Sequence, residues 1–244
     1  MPCIIEMKDV TFSAQNRILV EDVSCRFEEG KTTVLVGPSG CGKSTVLKLA
    51  AGLLIPNKGR VFFRDKDITR MNKSENLAFR KEGAVVFQDS ALWANQNLFQ
   101  ILELPLRVHF PFMTDAEREK RIRDVAHEVG YRKELGIRPA ALSMGEQKLI
   151  AFARAMVCSP RLLFLDEWTE SLDDNAAHRL IGIVKKMREN GISIILVSHD
   201  ARIIRDLADI VVIIVGGQIL LELSRAQITC DEDISRYLNG ENAA

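Results

Sequence analysis

Two kinds of hydrophobic spacing alternate along this chain. Continuous apolar runs occur at Thr32–Gly37 (TTVLVG), Arg161–Asp166 (RLLFLD), Ile192–Ser198 (ISIILVS) and Ile210–Val215 (IVVIIV). Short runs rich in Val and Ile, without polar alternation, predict strands buried on both faces, as in a parallel sheet covered by helices. Other stretches keep a helical period. MTDAEREKRIRDVAHEV opens with a capping box, Thr114 to Glu117, and aligns Ile122, Val125, Ala126 and Val129 on one face. Asn175–Asn190 predicts a helix that buries Ala176, Leu180, Val184 and Met187. Near the N-terminus, VTFS, SCRFEE and GRVFFRDKDI read as antiparallel strands of a small β layer. Strands alternating with helices give an α/β fold with a mainly parallel sheet, and residues from about 90 to 156 read as a helical insertion into it.

Composition narrows the function classes. Of 244 residues, 47% are hydrophobic and 27% charged, which is ordinary globular usage. Lys plus Arg and Asp plus Glu number 33 each, so the basic excess that phosphate neutralisation demands is missing and no nucleic-acid partner is expected. The five cysteines (3, 25, 41, 158 and 230) are odd in number and lack CxxC spacing. They read as reduced thiols, with no disulfide frame or zinc site. Acidic residues interrupt MPCIIEMKDV where a secretory signal needs an apolar core. The apolar runs are also too short to cross a bilayer, so any membrane role is expected to come through a partner.

GPSGCGKST, Gly37–Thr45, has the P-loop spacing GxxxxGK[ST] between a predicted strand and a predicted helix. In such a loop the backbone of Gly37, Pro38, Ser39, Gly40, Cys41 and Gly42 turns its N–H groups toward phosphates, helped by the following helix N-terminus. Lys43 is placed to reach the β- and γ-phosphates, Ser44 to coordinate Mg²⁺, and Thr45 to continue the cradle. RLLFLDE ends a buried strand in two carboxylates. Asp166 is placed to hold the metal through water and Glu167 to polarise an attacking water, the two roles phosphoryl transfer requires. His199, in LVSHD, and Gln88, in VVFQDS, follow apolar runs at predicted C-terminal strand ends, where α/β ligand sites gather. His109, His127 and His178 read as structural. No NKxD-type guanine motif is present, which disfavours a GTPase.

LSMGE, Leu142–Glu146, raises a separate question. Ser143 is an N-cap candidate and Gly145 and Glu146 sit in a first helical turn, so the segment is a second possible phosphate seat. Taken in order, GPSGCGKST, Gln88, LSMGE, RLLFLDE, ESLD and His199 resemble the ATPase subunit of ATP-binding-cassette (ABC) systems over nearly the whole chain. The resemblance implies one domain over 1–244, with an α/β core and N-terminal β subdomain (1–89 and 157–244) and a helical signature subdomain (90–156). It implies ATP and Mg²⁺ as cofactors, Gln88 as a Q-loop metal contact, His199 as a switch residue and Ser171–Asp173 as a D-loop. It also answers the question of two seats: in a head-to-tail homodimer, Ser143, Gly145 and Glu146 of one subunit would cap the γ-phosphate on the partner's P-loop.

Four positions depart from the family pattern. Met144 and Glu146 replace the third and fifth residues of the usual LSGGQ, so Glu146 is expected to set a carboxylate near a polyphosphate. Trp168 stands where a proline commonly follows the catalytic Glu, so the turn is expected to be reshaped. Ala14 stands where an aromatic commonly stacks on adenine, with core-facing Phe12 and the guanidinium of Arg17 as substitutes. A single cassette implies a separate integral membrane permease and a peripheral location on the cytoplasmic face of the inner membrane. FQDSALWANQNLFQILELPLR and the ending ISRYLNG resemble cassettes of Mce-type lipid transport, implying a phospholipid or other hydrophobic substrate and a periplasmic lipid-binding component. A regulatory or mechanical ATPase of the cell-division type, which moves no substrate, is the alternative.

Overall fold

The computed structural model describes residues 2–227. Cys230, the ISRYLNG segment and the polar tail after Gly240 lie outside the described residues.

Strands β1 (Cys3–Ala14) and β2 (Arg17–Glu28) form an antiparallel hairpin. Its two turn residues, Gln15 and Asn16, both hold positive φ, 51° and 60°, the turn that matches strand twist. On its other edge β1 pairs with β4 (Lys58–Phe63), which pairs with the two-residue β5 (Lys66–Asp67). The single strand expected from GRVFFRDKDI is therefore broken. Arg64 and Asp65 turn with φ of 43° and 65°, and a 3-10 turn over Ile68–Arg70 follows, capped by the Asp67 carboxylate.

The main sheet has six strands. In spatial order they are β10 (Gln218–Ser224), β9 (Ile210–Val215), β3 (Thr32–Val36), β8 (Ser193–Val197), β7 (Leu162–Asp166) and β6 (Gly83–Val86). All neighbours are parallel except the β9–β10 hairpin. Strand pleating sends alternate residues to opposite faces, and each face meets its own core. Val34, Leu163, Leu165, Ile194 and Leu196 face one apolar cluster, and Leu35, Leu162, Phe164, Ile195 and Val197 the other. The second cluster joins the sheet to α1 (Lys43–Ala50) and the antiparallel layer. The first takes in α3 (Leu98–His109), α4 (Asp115–Glu128), α5 (Met144–Met156) and α6 (Asp174–Glu189). Unalternated strands follow from this double coverage.

Helix signals act where the sequence places them. Capping boxes start α2 (Lys73–Glu82) at Asn72, α3 at Asn97, α4 at Thr114 and α5 at Ser143. Ile122, Val125, Ala126 and Val129 are buried as expected. In α6 the buried face is Leu180, Ile183, Val184 and Met187; Ala176, in the first turn, is only half-buried because Asp173 caps the helix at its solvent end.

Because β6, β7, β8 and β3 lie side by side and run parallel, the residues after their C-terminal ends meet at one sheet edge. Gln88, Asp166–Glu167, His199 and the loop opening at Gly37 all follow those ends. Such a crevice is where open α/β sheets bind ligands.

Candidate active site

The loop between β3 and α1 needs glycine for steric reasons. Gly37 has φ 146°, and a Cβ there would lie 2.0 Å from the Ile214 carbonyl oxygen. At Gly42, φ 104°, a Cβ would meet the Leu19 carbonyl at 2.5 Å. Lys43 is 5% exposed, and its Nζ donates to the Gly37 and Pro38 carbonyls at 2.8 Å each. The cation is thus held at the mouth of the loop, beside the N-terminus of α1. Ser44 Oγ donates to Asp166 Oδ1 at 2.8 Å, which joins the loop to the end of β7. A hydroxyl and a carboxylate so placed, with the Gln88 amide lining the same cavity of about 470 Å³, form a hard oxygen set of the kind Mg²⁺ takes beside a nucleotide.

A second cavity of about 400 Å³ adjoins it, lined by Ser39, Gly40, Gly42–Thr45, Gln88, Glu167, His199 and also Leu19. A larger cleft lies at the opposite strand ends, around Lys31, Asp209 and Arg225, and carries none of these motifs. Glu167 Oε1 and His199 Nε2 are 2.8 Å apart. Burial pushes the Glu167 carboxyl up to about 7, and its hydrogen bond with the nearby Glu170 carboxylate adds to the shift. Burial, followed by the Lys43 charge, lowers His199 below the usual imidazole range. A neutral imidazole with its proton on Nε2 can donate to Glu167 once that carboxyl has lost its own proton. Gln88 Nε2 donates to Glu170 Oε2 at 3.0 Å, so the Gln88 amide faces a carboxylate of the same turn.

The structure brings together Gly37–Thr45, Gln88, Asp166, Glu167 and His199. Ser143, Gly145 and Glu146 are not among the residues lining either cavity. They lie at the start of α5 against the Ser171–Asp173 loop: a Cβ on Gly145 would stand 3.2 Å from the Ser171 carbonyl. Glu146 folds back rather than projecting outward. Its Oε2 accepts from Ser143 N and Oγ, both at 3.0 Å, and its Oε1 pairs with Lys133 at 2.7 Å. Lys133 and the cap hold that carboxyl below its ordinary range. Met144 is 69% exposed beside it.

Trp168 is 1% exposed and stacks on Phe152 of α5 with ring centroids 5.6 Å apart, so the turn after Glu167 buries an indole in the core. Phe12 packs against the core around β1, while Ala14 and Arg17 close the first hairpin. His127 and His178 are exposed, and half-buried His109 lies away from both cavities.

Sequence reasoning missed Leu19, Glu170 and Lys148. Lys148 is 4% exposed, and its Nζ donates to the Glu167 carbonyl at 3.0 Å. A signal existed, since Lys148 sits three and four residues before Ala151 and Phe152, which continue an apolar face. Glu170 opens the ESLD segment, but nothing in that local pattern shows that its side chain meets Gln88.

Comparison with known proteins agrees with this geometry. The family model described as "ABC transporter" matches residues 20–170, more than half of the chain. The phospholipid transport ATP-binding protein MlaF of Haemophilus influenzae is 30% identical over 98% of this chain and 91% of its own length. The nickel import ATP-binding protein NikE of Brucella abortus is 33% identical over 92% and 86%. Among solved structures, a dimeric post-hydrolysis state of the ATP-binding cassette MJ0796, bound to ADP and Pi, superposes with a TM-score of 0.83. It shows 26% identity over 91% of this chain and 98% of that one.

Proposed function

The chain belongs to the ABC transporter family and is its ATPase subunit, and from that premise we propose that it powers a separate membrane permease for a phospholipid or similarly hydrophobic substrate. The observation that carries the catalytic part is the convergence of Lys43, Ser44, Asp166, Glu167 and His199 at one sheet edge. The backbone of Gly37–Gly42 and Lys43 hold the phosphates of ATP, with Thr45 completing the cradle at the start of α1. Ser44, Asp166 and Gln88 would hold Mg²⁺, which supplies electrostatic stabilisation to the transferring phosphoryl group when bound. Glu167 orients the attacking water and accepts its proton, and the neutral His199 imidazole fixes the carboxylate's direction.

Two copies act head to tail, in keeping with the dimeric cassette this chain resembles. Ser143 and the Gly145 amide reach the γ-phosphate on the partner's loop, with the Ser171–Asp173 loop beside them. Glu146 acts indirectly: Lys133 balances its charge, and its carboxylate holds the single proton of the Ser143 hydroxyl, which has to turn away from Glu146 to donate to a phosphate.

Among the described residues, no helix is long and apolar enough to cross a membrane, so the moving part is a partner. A groove of about 500 Å³ between β6, α3 and α5 offers it a seat. The groove is lined by Phe87, half-exposed Trp93, Pro105, His109 and Arg154, an apolar floor with cationic edges. Docking there would make the subunit a peripheral partner of the permease, in keeping with the expected position on the cytoplasmic face of the inner membrane. The hydrophobic substrate is favoured by the similarity to MlaF over 98% of the chain, and that reading brings with it a periplasmic lipid-binding component.

Purification of the complex from solubilised membranes, with mass spectrometry of proteins and lipids, tests the assignment. The expected result is a permease carrying phospholipid. A lipid-free permease with a bound divalent cation would move the substrate to the metal class, and a peptidoglycan-machinery partner would favour a mechanical ATPase.

A further inference from the structure

The turn after β7 is held in an unfavourable backbone state. Glu167 has φ 45°, a left-handed conformation that costs a non-glycine residue free energy and persists only when its surroundings enforce it. Three contacts do so. Glu167 N donates to the Val197 carbonyl at 3.3 Å, and the Glu167 carbonyl accepts from Glu170 N at 3.3 Å and from Lys148 Nζ at 3.0 Å. Two of these come from neighbouring backbone. The third comes from a different element, the helix that opens at Ser143.

Lys148 is an unusual residue to find there. It lies on the buried face of α5, where a cation is costly unless compensated. Its compensation is local, because the carboxylates of Glu170, Asp166, Glu167 and Asp89 all attract it. Glu170 in turn accepts from Gln88. One buried cation thus ties the signature helix to the turn that carries Glu167 and to the acidic residue that holds Gln88. It lies five residues after the Ser143 cap, about 7.5 Å along the helix axis.

Resting on the reading of Glu167 as the water-orienting base, we propose that Lys148 is a positioning residue for hydrolysis. Its Nζ fixes the Glu167 peptide plane, and with it the direction in which the catalytic carboxylate leaves the backbone, from the same helix whose first turn caps the partner's nucleotide. It touches no substrate atom. Its effect falls on turnover and leaves ATP binding to the P-loop.

The test compares Lys148→Met, which keeps bulk but loses donor and charge, with Lys148→Arg, which keeps both. Purified protein is assayed for kcat, KM for ATP and Tm. Lys148→Met is expected to lower kcat at least tenfold, with KM within threefold and Tm within a few degrees of the native protein. Lys148→Arg is expected to recover most of the lost rate. A Met variant with native kcat, a KM shift without a kcat change, or an Arg variant as slow as Met would each overturn the proposal. If Lys148→Met does not fold, the double variant Lys148→Met/Glu170→Gln removes the uncompensated charge; it is expected to turn over at least tenfold slower than Glu170→Gln alone, and equal rates would overturn the assignment. Glu167→Gln separates the two readings. A native rate in that variant sinks the base assignment itself, whereas an inactive Glu167→Gln beside a native-rate Lys148→Met sinks only the role of Lys148.

Discussion

At the residue scale, Lys43 and Glu167 meet opposite demands in one small cavity. Lys43 gives both of its hydrogen bonds to carbonyls of its own loop, and phosphate oxygens are stronger acceptors for an ammonium than neutral carbonyls. Lys43→Ala is therefore expected to weaken ATP binding by about tenfold to a hundredfold, the worth of a hydrogen bond to a charged group. Equilibrium titration with a fluorescent ATP analogue measures this, and unaltered affinity would contradict the phosphate role. Glu167→Gln keeps the shape but cannot take a proton, so kcat is expected to fall by about 10²–10⁴-fold with ATP binding preserved. The acid limb of the pH profile belongs to the same carboxyl. As the proposed base Glu167 would act ionised, and its carboxyl is pushed up to about 7 by burial and by Glu170. Turnover should rise with pH through about 7 and fall below it. Glu170→Gln removes the neighbouring negative charge while burial stays, so the midpoint should move down toward the ordinary glutamate range. A kcat–pH series on both proteins checks this, and an unmoved midpoint would remove Glu170 from the account.

At the element scale, β7, its turn and α5 are held as one unit. Trp168 is the apolar half of that joint and Lys148 the polar half. Trp168→Ala should cost about 3–5 kcal/mol, as truncation of a large buried side chain does. Trp168→Phe should cost far less, because the indole Nε1 is buried without a partner and its removal offsets part of the lost packing. Chemical denaturation of the two variants measures both, and equal losses would show that stacking on Phe152 is not what holds the turn. This joint also marks how far the sequence could be read. Four of the five parallel strands were legible because double burial leaves unbroken Val, Ile and Leu runs, and the P-loop because its glycines are required by close backbone approach. The helix starts were legible because capping is local chemistry. Trp168 was readable as a departure, but its destination depends on Phe152, sixteen residues away in sequence and on another element. The capping bond of Glu146 to Ser143 is local and readable, whereas its pairing with Lys133 depends on where the loop before α5 comes to rest. Glu170 and Gln88 meet across 82 positions of sequence, beyond the reach of any local pattern.

At the scale of the whole molecule, the signature residues of the chain do not line the cavities built on its own P-loop. If two copies complete each other, loss of a P-loop in one subunit and loss of a signature in the other are different lesions that a mixed dimer can partly repair. Ser143→Arg places a long cation at the first turn of α5, where it blocks the partner's phosphate seat while leaving its own P-loop intact. It should abolish turnover yet bind ATP as an isolated subunit, whereas Lys43→Ala should fail at binding. A mixture of the two in equal amounts gives half mixed dimers, each with one intact site, so about a quarter of the native sites return in a symmetric pair. Recovered ATPase activity, absent from either variant alone, is the expected outcome. In the proposed composite site, where binding energy comes from both subunits, nucleotide would shift the pair toward the closed state and release after hydrolysis would reopen it. A mixture as inactive as its components would mean that each chain completes its own site, and the helix beginning at Ser143 would then need another ligand.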